Sequence, residues 1–263
     1  MTGARQVVAV IGGSGISEIF GPTPTTTHRV ATPWGAPSGP ITEGRVGDLR
    51  VLFLARHGVG HTLPPHRINY RANVDALKSL GADAIVAVNS VGSLKDALPP
   101  GTFVLPDQFV DFTKQRPTTF FDGGRVFHVS TADPFCPDLL GEAVASGEAV
   151  GTPFATHRTY VCVEGPRFST RAESRYYRGF ADVIGMTLVP EVTLARERGV
   201  CYATLAMVTD FDVWADKPVQ AREIVEVMQR NVERMRRVLS ELLPRTARAP
   251  TCRCAHALDD AAL

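Results

Sequence analysis

The sequence predicts an α/β protein whose central sheet is buried on both faces. Short β-branched runs alternate with helical stretches along the whole chain, and the runs are apolar at nearly every position, as in strands covered on both sides. Several runs end directly in small, polar or charged residues, at the rim where ligands sit in open α/β sheets. At 263 residues, 44% of them hydrophobic and 21% charged, the chain is of average globular composition. A chain of this length buries roughly three quarters of its unfolded surface and needs no disulfide or metal staple. Lys and Arg number 28 against 27 Asp and Glu, a net charge of +1. That balance excludes a nucleic-acid coat and a polybasic membrane anchor. Composition alone excludes disordered, collagen-like and transmembrane classes.

The first strand is expected at residues 7–11, an apolar run too short for a secretory signal and without a small-residue cleavage pattern, so a cytoplasmic protein is expected. Further strands are expected at 51–55, 84–88, 159–163 and 201–208, with a shorter apolar run at Val183 and Ile184. Ala72, Ala76, Leu77 and Leu80 recur at helical spacing and stop at Gly81. A second helix is expected over 190–198, opening on Pro190 and Glu191 and stopping at Gly199. A long helix over 219–243 carries Ile224, Val227, Met228, Val232, Met235 and Leu239 on one stripe. Segments 35–47 and 113–138 are rich in Gly, Pro and polar residues and are expected to be irregular, of the kind that often carries binding groups. Periodicity ends near residue 244, so one domain over 1–245 is expected, followed by an extended or loosely docked tail over 246–263.

The odd count of five cysteines fits reduced thiols. Cys136, Cys162 and Cys201 stand in apolar or strand-like surroundings and read as core residues. Cys252, Cys254 and His256 form a C-x-C-x-H cluster with three readings: metal ligands, a disulfide pair, or an idle tail. No second ligand pair at a zinc-like spacing accompanies them.

The chemistry-bearing residues cluster after strands. Gly12-Gly13-Ser14-Gly15 follows the first strand, where glycines let backbone N–H groups turn toward an anion and a hydroxyl adds a donor. A dinucleotide fingerprint would place a third glycine where Glu18 stands, a carboxylate ill suited to a pyrophosphate. Arg56 and His57 close the second strand, Asn89 and Ser90 the third, and Met186 and Thr187 follow the short run. Arginine suits a bidentate anion grip and the others add small polar groups, so together these positions look like a phosphate pocket. Glu164 to Ser169 places Phe168, able to stack on a flat ring or simply to pack, among small polar residues. Asp210 and Asp212 end the last strand at i and i+2, one face of an extended segment. Two neighbouring carboxylates raise at least one pKa, which suits a proton donor; they also suit a divalent metal or an acidic turn.

In this order, GGSG, ARHG, NSVGSL, VEGPRFSTRAES, IGMTLVPEV and MVTDFDVW resemble the trimeric purine nucleoside phosphorylase superfamily, nearest its 5′-methylthioadenosine branch. The likeness runs from about residue 7 to 243. It implies a three-layer αβα fold with a central mixed, mostly parallel sheet, assembled as a homotrimer, over a phosphorylase domain spanning 1–245. It implies phosphorolysis of a small-molecule nucleoside by inorganic phosphate as co-substrate, with no organic cofactor, no metal, and no nucleic-acid or membrane partner. Carried over by motif, Ser14, Arg56, His57, Asn89, Ser90 and Thr187 hold phosphate. Met186 lies against the ribose, Phe168 against the base, and Ser169, Asp210 and Asp212 at the base edge, the two aspartates being catalytic. His128 reaches the 5′ group of a neighbouring subunit, and Ala221, Ile224 and Val225 form the apolar 5′ wall.

Asp210 would share a proton with N7 of the leaving purine, and Asp212 would accept from the 6-amino group of adenine. The 6-oxopurine branch carries Asn where the acid stands, so the aspartates favour adenine. Asn89 and Ser90 depart from the Thr and Ala usual in the methylthioadenosine enzymes and are nearer the 6-oxopurine pattern. Three alternatives follow: a phosphorylase of methylthioinosine or another 6-oxopurine nucleoside, one acting on other 5′-modified adenosines such as 5′-halogenated ones, and a nucleoside-binding protein without catalysis.

Overall fold

The computed structural model describes residues 6–21, 23–215, 221–259, 261 and 262, with the side chains of Ser14 and of 221–226 left aside. Among these residues nine strands form one mixed sheet: β1 (Val7–Gly12), β2 (Thr26–His28), β3 (Ile41–Val46), β4 (Leu49–Ala55), β5 (Ala84–Ser93), β6 (Phe103–Phe112), β7 (Phe154–Val163), β8 (Val183–Gly185) and β9 (Cys201–Asp210). Their order is β2-β3-β4-β1-β5-β8-β7-β6-β9, and β5 also pairs with β9. The second half of the sheet therefore closes into a ring through β5, β8, β7, β6 and β9. The pairs β4–β1, β1–β5 and β5–β9 are parallel, so these strands end on the same side.

Helices cover the faces: α1 (Tyr70–Ser79), α2 (Pro137–Ala149), α3 (Arg171–Tyr177), α4 (Glu191–Glu197) and α5 (Ala221–Thr246). Alternation along β1 explains the layering. Val7, Ala9 and Ile11 enter a core with Val74 and Leu77 of α1 and Val192 and Leu194 of α4. Val8 and Val10 enter a second core with Leu139 of α2 and Val238, Leu239 and Leu242 of α5. Both strand faces are buried, which is why the strand sequence is apolar at every position. This is the mixed three-layer sheet the resemblance implied. Among the described residues no helix is long and apolar enough to cross a membrane.

Two expectations need correction. Segment 35–47 is not an irregular binding segment: its second half is β3, which pairs antiparallel with β4 toward the sheet edge. Its alternation is hard to read because Gly44 stands in the strand, where a Cβ would collide with the Phe20 ring. Asn89 to Ser93 do not turn away after a strand at 84–88, since β5 continues to Ser93, along β9 as far as Gly92 and against β8 at Gly92 and Ser93.

Other elements had weak local signals. Pro106, Asp107 and Gln108 interrupt the apolar pattern of β6, and its register against β7 shifts on both sides of Pro106. Helix α2 contains Gly141 and Gly147; a Cβ on Gly147 would approach the Thr152 carbonyl to 2.6 Å. Helix α3 has a reciprocal cap, Thr170 accepting from the Glu173 N–H and Glu173 from the Thr170 N–H, a T-x-x-E signal present in the sequence. The long helix runs past Pro244 to Thr246. The tail beyond it is tied down: Asp138 accepts from Thr251 N and Oγ1 and from Cys252 N.

Candidate active site

The C-terminal ends of β1, β4, β5 and β9 and the loops after β7 and β8 open on one cleft of about 840 Å³. Asn89 and Gly92 of β5 both line it, and three residues of strand separate its two ends by about 10 Å.

At one end stands Arg56, the residue after β4, only 2% exposed. Its Nε donates to Glu191 Oε2 and its Nη2 to Glu191 Oε1, each at 2.9 Å. Nη1 donates to the Val88 carbonyl at 2.9 Å and Nη2 to Asn89 Oδ1 at 3.2 Å. Four of its five N–H groups thus meet protein acceptors, leaving one together with the charge. Burial opposes that charge, but the Glu191 carboxylate outweighs it and raises the guanidinium pKa further. Asn89 in turn accepts from Thr204 Oγ1 at 3.1 Å and donates to Thr187 Oγ1 at 3.0 Å. Asn89 is therefore a bridge between Arg56 and Thr187 as well as a cleft residue.

His57 donates through Nδ1 to the Leu63 carbonyl, 2.8 Å away, because a carbonyl can only accept. Burial, aided by the Arg56 charge, lowers its pKa to about 4 against the pull of that hydrogen bond. The ring is stacked on His61, centroids 4.3 Å apart. Gly13, Gly15, Ser90 and Thr187 complete this end. Ser14 opens the 3-10 turn Ser14–Phe20, and its side chain lies outside the described residues. Helix α5 seats the glycine turn through Arg236, whose Nε donates to the Gly15 carbonyl at 2.9 Å.

At the other end, Asp210 ends β9. A register shift between Val91 and Gly92 lets Gly92 face Asp210, leaving Thr209 as the extra residue, and such bulges re-aim side chains. A Cβ on Gly92 would lie 3.0 Å from Asp210 Oδ1 and 3.3 Å from Asp212 Cβ, so glycine makes the room. Asp210 accepts from Thr209 Oγ1 and from Asp212 N, both at 2.8 Å. Asp212 accepts from Ser174 Oγ at 2.5 Å. Burial raises both carboxyl pKa values, against these hydrogen bonds. The two do share the cleft, but not through strand alternation: Asp212 lies past the strand in the left-handed region, φ 49°.

Phe168, 49% exposed, Ser169 and Met186 line the same cleft. Ser169 Oγ is buried without a protein partner. Met186 passes over Gly165, where a Cβ would meet its sulfur at 2.5 Å.

Not all expected residues gather here. His128 does not line the cleft of its own chain; its backbone N–H donates to the Ala261 carbonyl at 2.7 Å. Ala221, Ile224 and Val225 lie on the first turns of α5, with side chains outside the described residues. Further along α5, Met228, Gln229 and Val232 reach the cleft. Glu191, Ser174 and His61 were not singled out as site residues. Glu191 has the look of an acid at a helix start, where the dipole accounts for it, and only the fold turns it to Arg56.

The arrangement can hold an anion at the Arg56 end and a flat, hydrogen-bonding ring at the aspartate end. The model of the phosphorylase superfamily matches residues 7–244. An S-methyl-5′-thioadenosine phosphorylase of Pyrococcus furiosus is 50% identical over 251 residues, covering 95% of this chain and 97% of the relative. A methylthioadenosine phosphorylase structure from an antarctic soil metagenomic library superposes with TM-score 0.93 at 41% identity, covering 100% of this chain and 93% of that one. The Schistosoma mansoni methylthioadenosine phosphorylase, solved with adenine, gives 0.86 at 38% identity, with 90% of each chain covered.

Proposed function

Because the chain belongs to the phosphorylase superfamily, we propose that it catalyses the phosphorolysis of S-methyl-5′-thioadenosine to adenine and 5-methylthioribose 1-phosphate. One observation carries the substrate class: two carboxylates, half-buried Asp210 and buried Asp212, stand in the cleft that holds Arg56, His57 and Thr187.

Breaking the N-glycosidic bond leaves a cationic, oxocarbenium-like sugar and a purine gathering negative charge. Phosphate at the Arg56 end stabilises the cation and then captures it at C1′, so its fixed position contributes most. Arg56 supplies charge and one N–H, and Ser14, Ser90 and Thr187 supply small donors. Asn89 holds Arg56 and Thr187 in place. His57, neutral with its proton on Nδ1, offers Nε2 to a phosphate hydroxyl or takes a proton as the anion arrives.

At the leaving group, Asp210 gives a proton to N7, a step typically worth about 10²–10⁴-fold. Its raised pKa suits that role. Thr209 Oγ1 lies 2.8 Å from Asp210 Oδ2 and 3.2 Å from the Val91 carbonyl. The hydroxyl donates to the carboxylate, or turns to the carbonyl and accepts from the carboxylic acid, so either protonation state is satisfied. Asp212, oriented by Ser174, accepts from the 6-amino group and repels a 6-oxo group. Ser169 gives its unpartnered hydroxyl to the base edge, with Phe168 on the ring and Met186 against the ribose.

The same reading makes phosphate the second substrate and needs no cofactor. It places the enzyme in the cytoplasm and makes it a homotrimer, in which His128 and the start of α5, with Ala221, Ile224 and Val225, bound the 5′ group at a subunit boundary. An exposed aromatic cluster, Tyr176 and Phe180 around Phe112, offers apolar surface for such a contact.

The test is phosphate-dependent base release from methylthioadenosine and methylthioinosine side by side. Faster cleavage of the adenine nucleoside, with the preference lost in Asp212→Asn, is expected. A preference for methylthioinosine in the parent enzyme would sink the reading.

A further inference from the structure

Away from the cleft, the fold gathers four of the five cysteines. The Sγ atoms of Cys136, Cys201, Cys252 and Cys254 all lie within 4.8 Å of one another. Cys252 Sγ is 3.5 Å from that of Cys136 and 3.4 Å from that of Cys201. His256, grouped with the tail cysteines by spacing, turns away instead and pairs through Nδ1 with Asp259 at 2.9 Å. The second pair of sulfur ligands, absent at a zinc-like spacing in the sequence, is supplied by residues 116 and 51 positions from Cys252.

We propose that these four cysteines bind one zinc ion as a closed tetrathiolate site that fastens the C-terminal tail to the domain. Four sulfurs placed tetrahedrally about zinc at ~2.3 Å stand ~3.8 Å from one another. The two separations from Cys252, 3.5 and 3.4 Å, fall a little below that value, and the closeness of all four within 4.8 Å is what a single central ion requires. Two disulfides would bring the sulfurs together only in pairs, at ~2.05 Å.

The framework suits a metal. Cys136 is the N-cap of α2, whose helix dipole favours a thiolate at that end. Cys201 opens β9. The tail that brings Cys252 and Cys254 is aligned by Asp138 through its three hydrogen bonds with Thr251 and Cys252. It then passes over Gly199, where a Cβ would lie 3.1 Å from the Ala255 carbonyl oxygen. Three of the four cysteines are buried and the fourth is half-buried, the enclosure of a structural site with no open coordination position. Binding converts four thiols and Zn²⁺ into a tetrathiolate complex of charge −2 and releases four protons to solvent. The site is independent of the phosphorolysis chemistry.

The test is elemental analysis of the full chain, purified under reducing conditions without chelator, with a Co²⁺-substituted sample read by absorption. About one zinc per chain is expected, with intense visible ligand-field bands and near-ultraviolet sulfur-to-cobalt charge transfer in the cobalt form. In Cys252→Ser/Cys254→Ser the metal falls below a tenth of that stoichiometry while turnover of methylthioadenosine is retained. Reduced parent enzyme that binds neither zinc nor cobalt through sulfur would overturn the proposal. So would full metal content in the double variant, or an intact mass for the native chain lacking the four hydrogens of two disulfides. Should the double variant not fold, the parent enzyme's stoichiometry and cobalt spectrum decide.

Discussion

Arg56 and Glu191, 135 residues apart, meet in a two-point ion pair closed off from solvent, Nε on Oε2 and Nη2 on Oε1, each at 2.9 Å. Glu191 is fully buried and also accepts from the Tyr202 hydroxyl at 2.8 Å. Desolvating both charges offsets much of their attraction, so such a pair is poor evidence for stability as its purpose. Its geometric effect is definite: it spends two of Arg56's N–H groups on orientation and leaves the charge beside Asn89 and Thr187. Glu191 is thus a positioning residue.

Glu191→Gln keeps the shape and removes the charge. The KM for phosphate is expected to rise at least tenfold, while the KM for the nucleoside changes far less. Leaving Arg56 buried without its counter-charge is expected to cost about 3–5 kcal/mol in denaturant unfolding. Equal rises in both KM values would show a general structural role instead.

Ser169 predicts the opposite separation. Its hydroxyl is buried with no protein partner, so Ser169→Ala removes nothing that the ligand-free fold uses. Stability is expected to stay within about 0.5 kcal/mol, while the KM for methylthioadenosine rises several-fold. A stability loss with unchanged KM would place the hydroxyl in the fold and not at the base.

His57 carries a pH signature. Its folded pKa of about 4 lies below the ordinary value of 6.5. Between these two values the unfolded chain takes up a proton that the folded chain refuses. The stability due to neutral His57 is whole above pH 6.5 and is lost as pH falls toward 4. Urea unfolding of the parent and of His57→Gln across this window is expected to show the parent losing stability relative to the variant. Parallel curves would contradict the assignment.

His128 tests the assembly. Neither His128→Ala nor Asp210→Asn alone is expected to retain more than a small fraction of activity toward methylthioadenosine. Co-refolded mixtures of the two are expected to recover part of it, since some sites then combine an intact Asp210 with a neighbour's intact His128. Mixtures no more active than the average of their parents would show that His128 acts within its own chain or not at all.

Much of this was legible in the residues because burial leaves a local mark. Strands β1, β4 and β9, covered on both faces, are largely apolar at contiguous positions, and the residues at or just past their ends, Arg56, His57 and Asp210, stand out by contrast. The same rule hides β6, where Pro106 and the polar residues after it suit a strand whose register shifts. It hides α2 as well, where Gly147 is dictated by contact with the Thr152 carbonyl and not by helix preference.

By itself the sequence determined which segments are buried, where the strands end, and which chemical groups stand at those ends. Only the tertiary structure decided who meets whom. It turned Glu191 from a helix-start acid into the partner of Arg56, made Asn89 a bridge to Thr187, and brought Cys136 and Cys201 to Cys252 and Cys254. The physical reason is that solvent exclusion acts on each residue through its near neighbours and so shows in local pattern. A hydrogen bond or a shared ligand set depends instead on the path of the chain between its members, and that path is set by the packing of all the elements together.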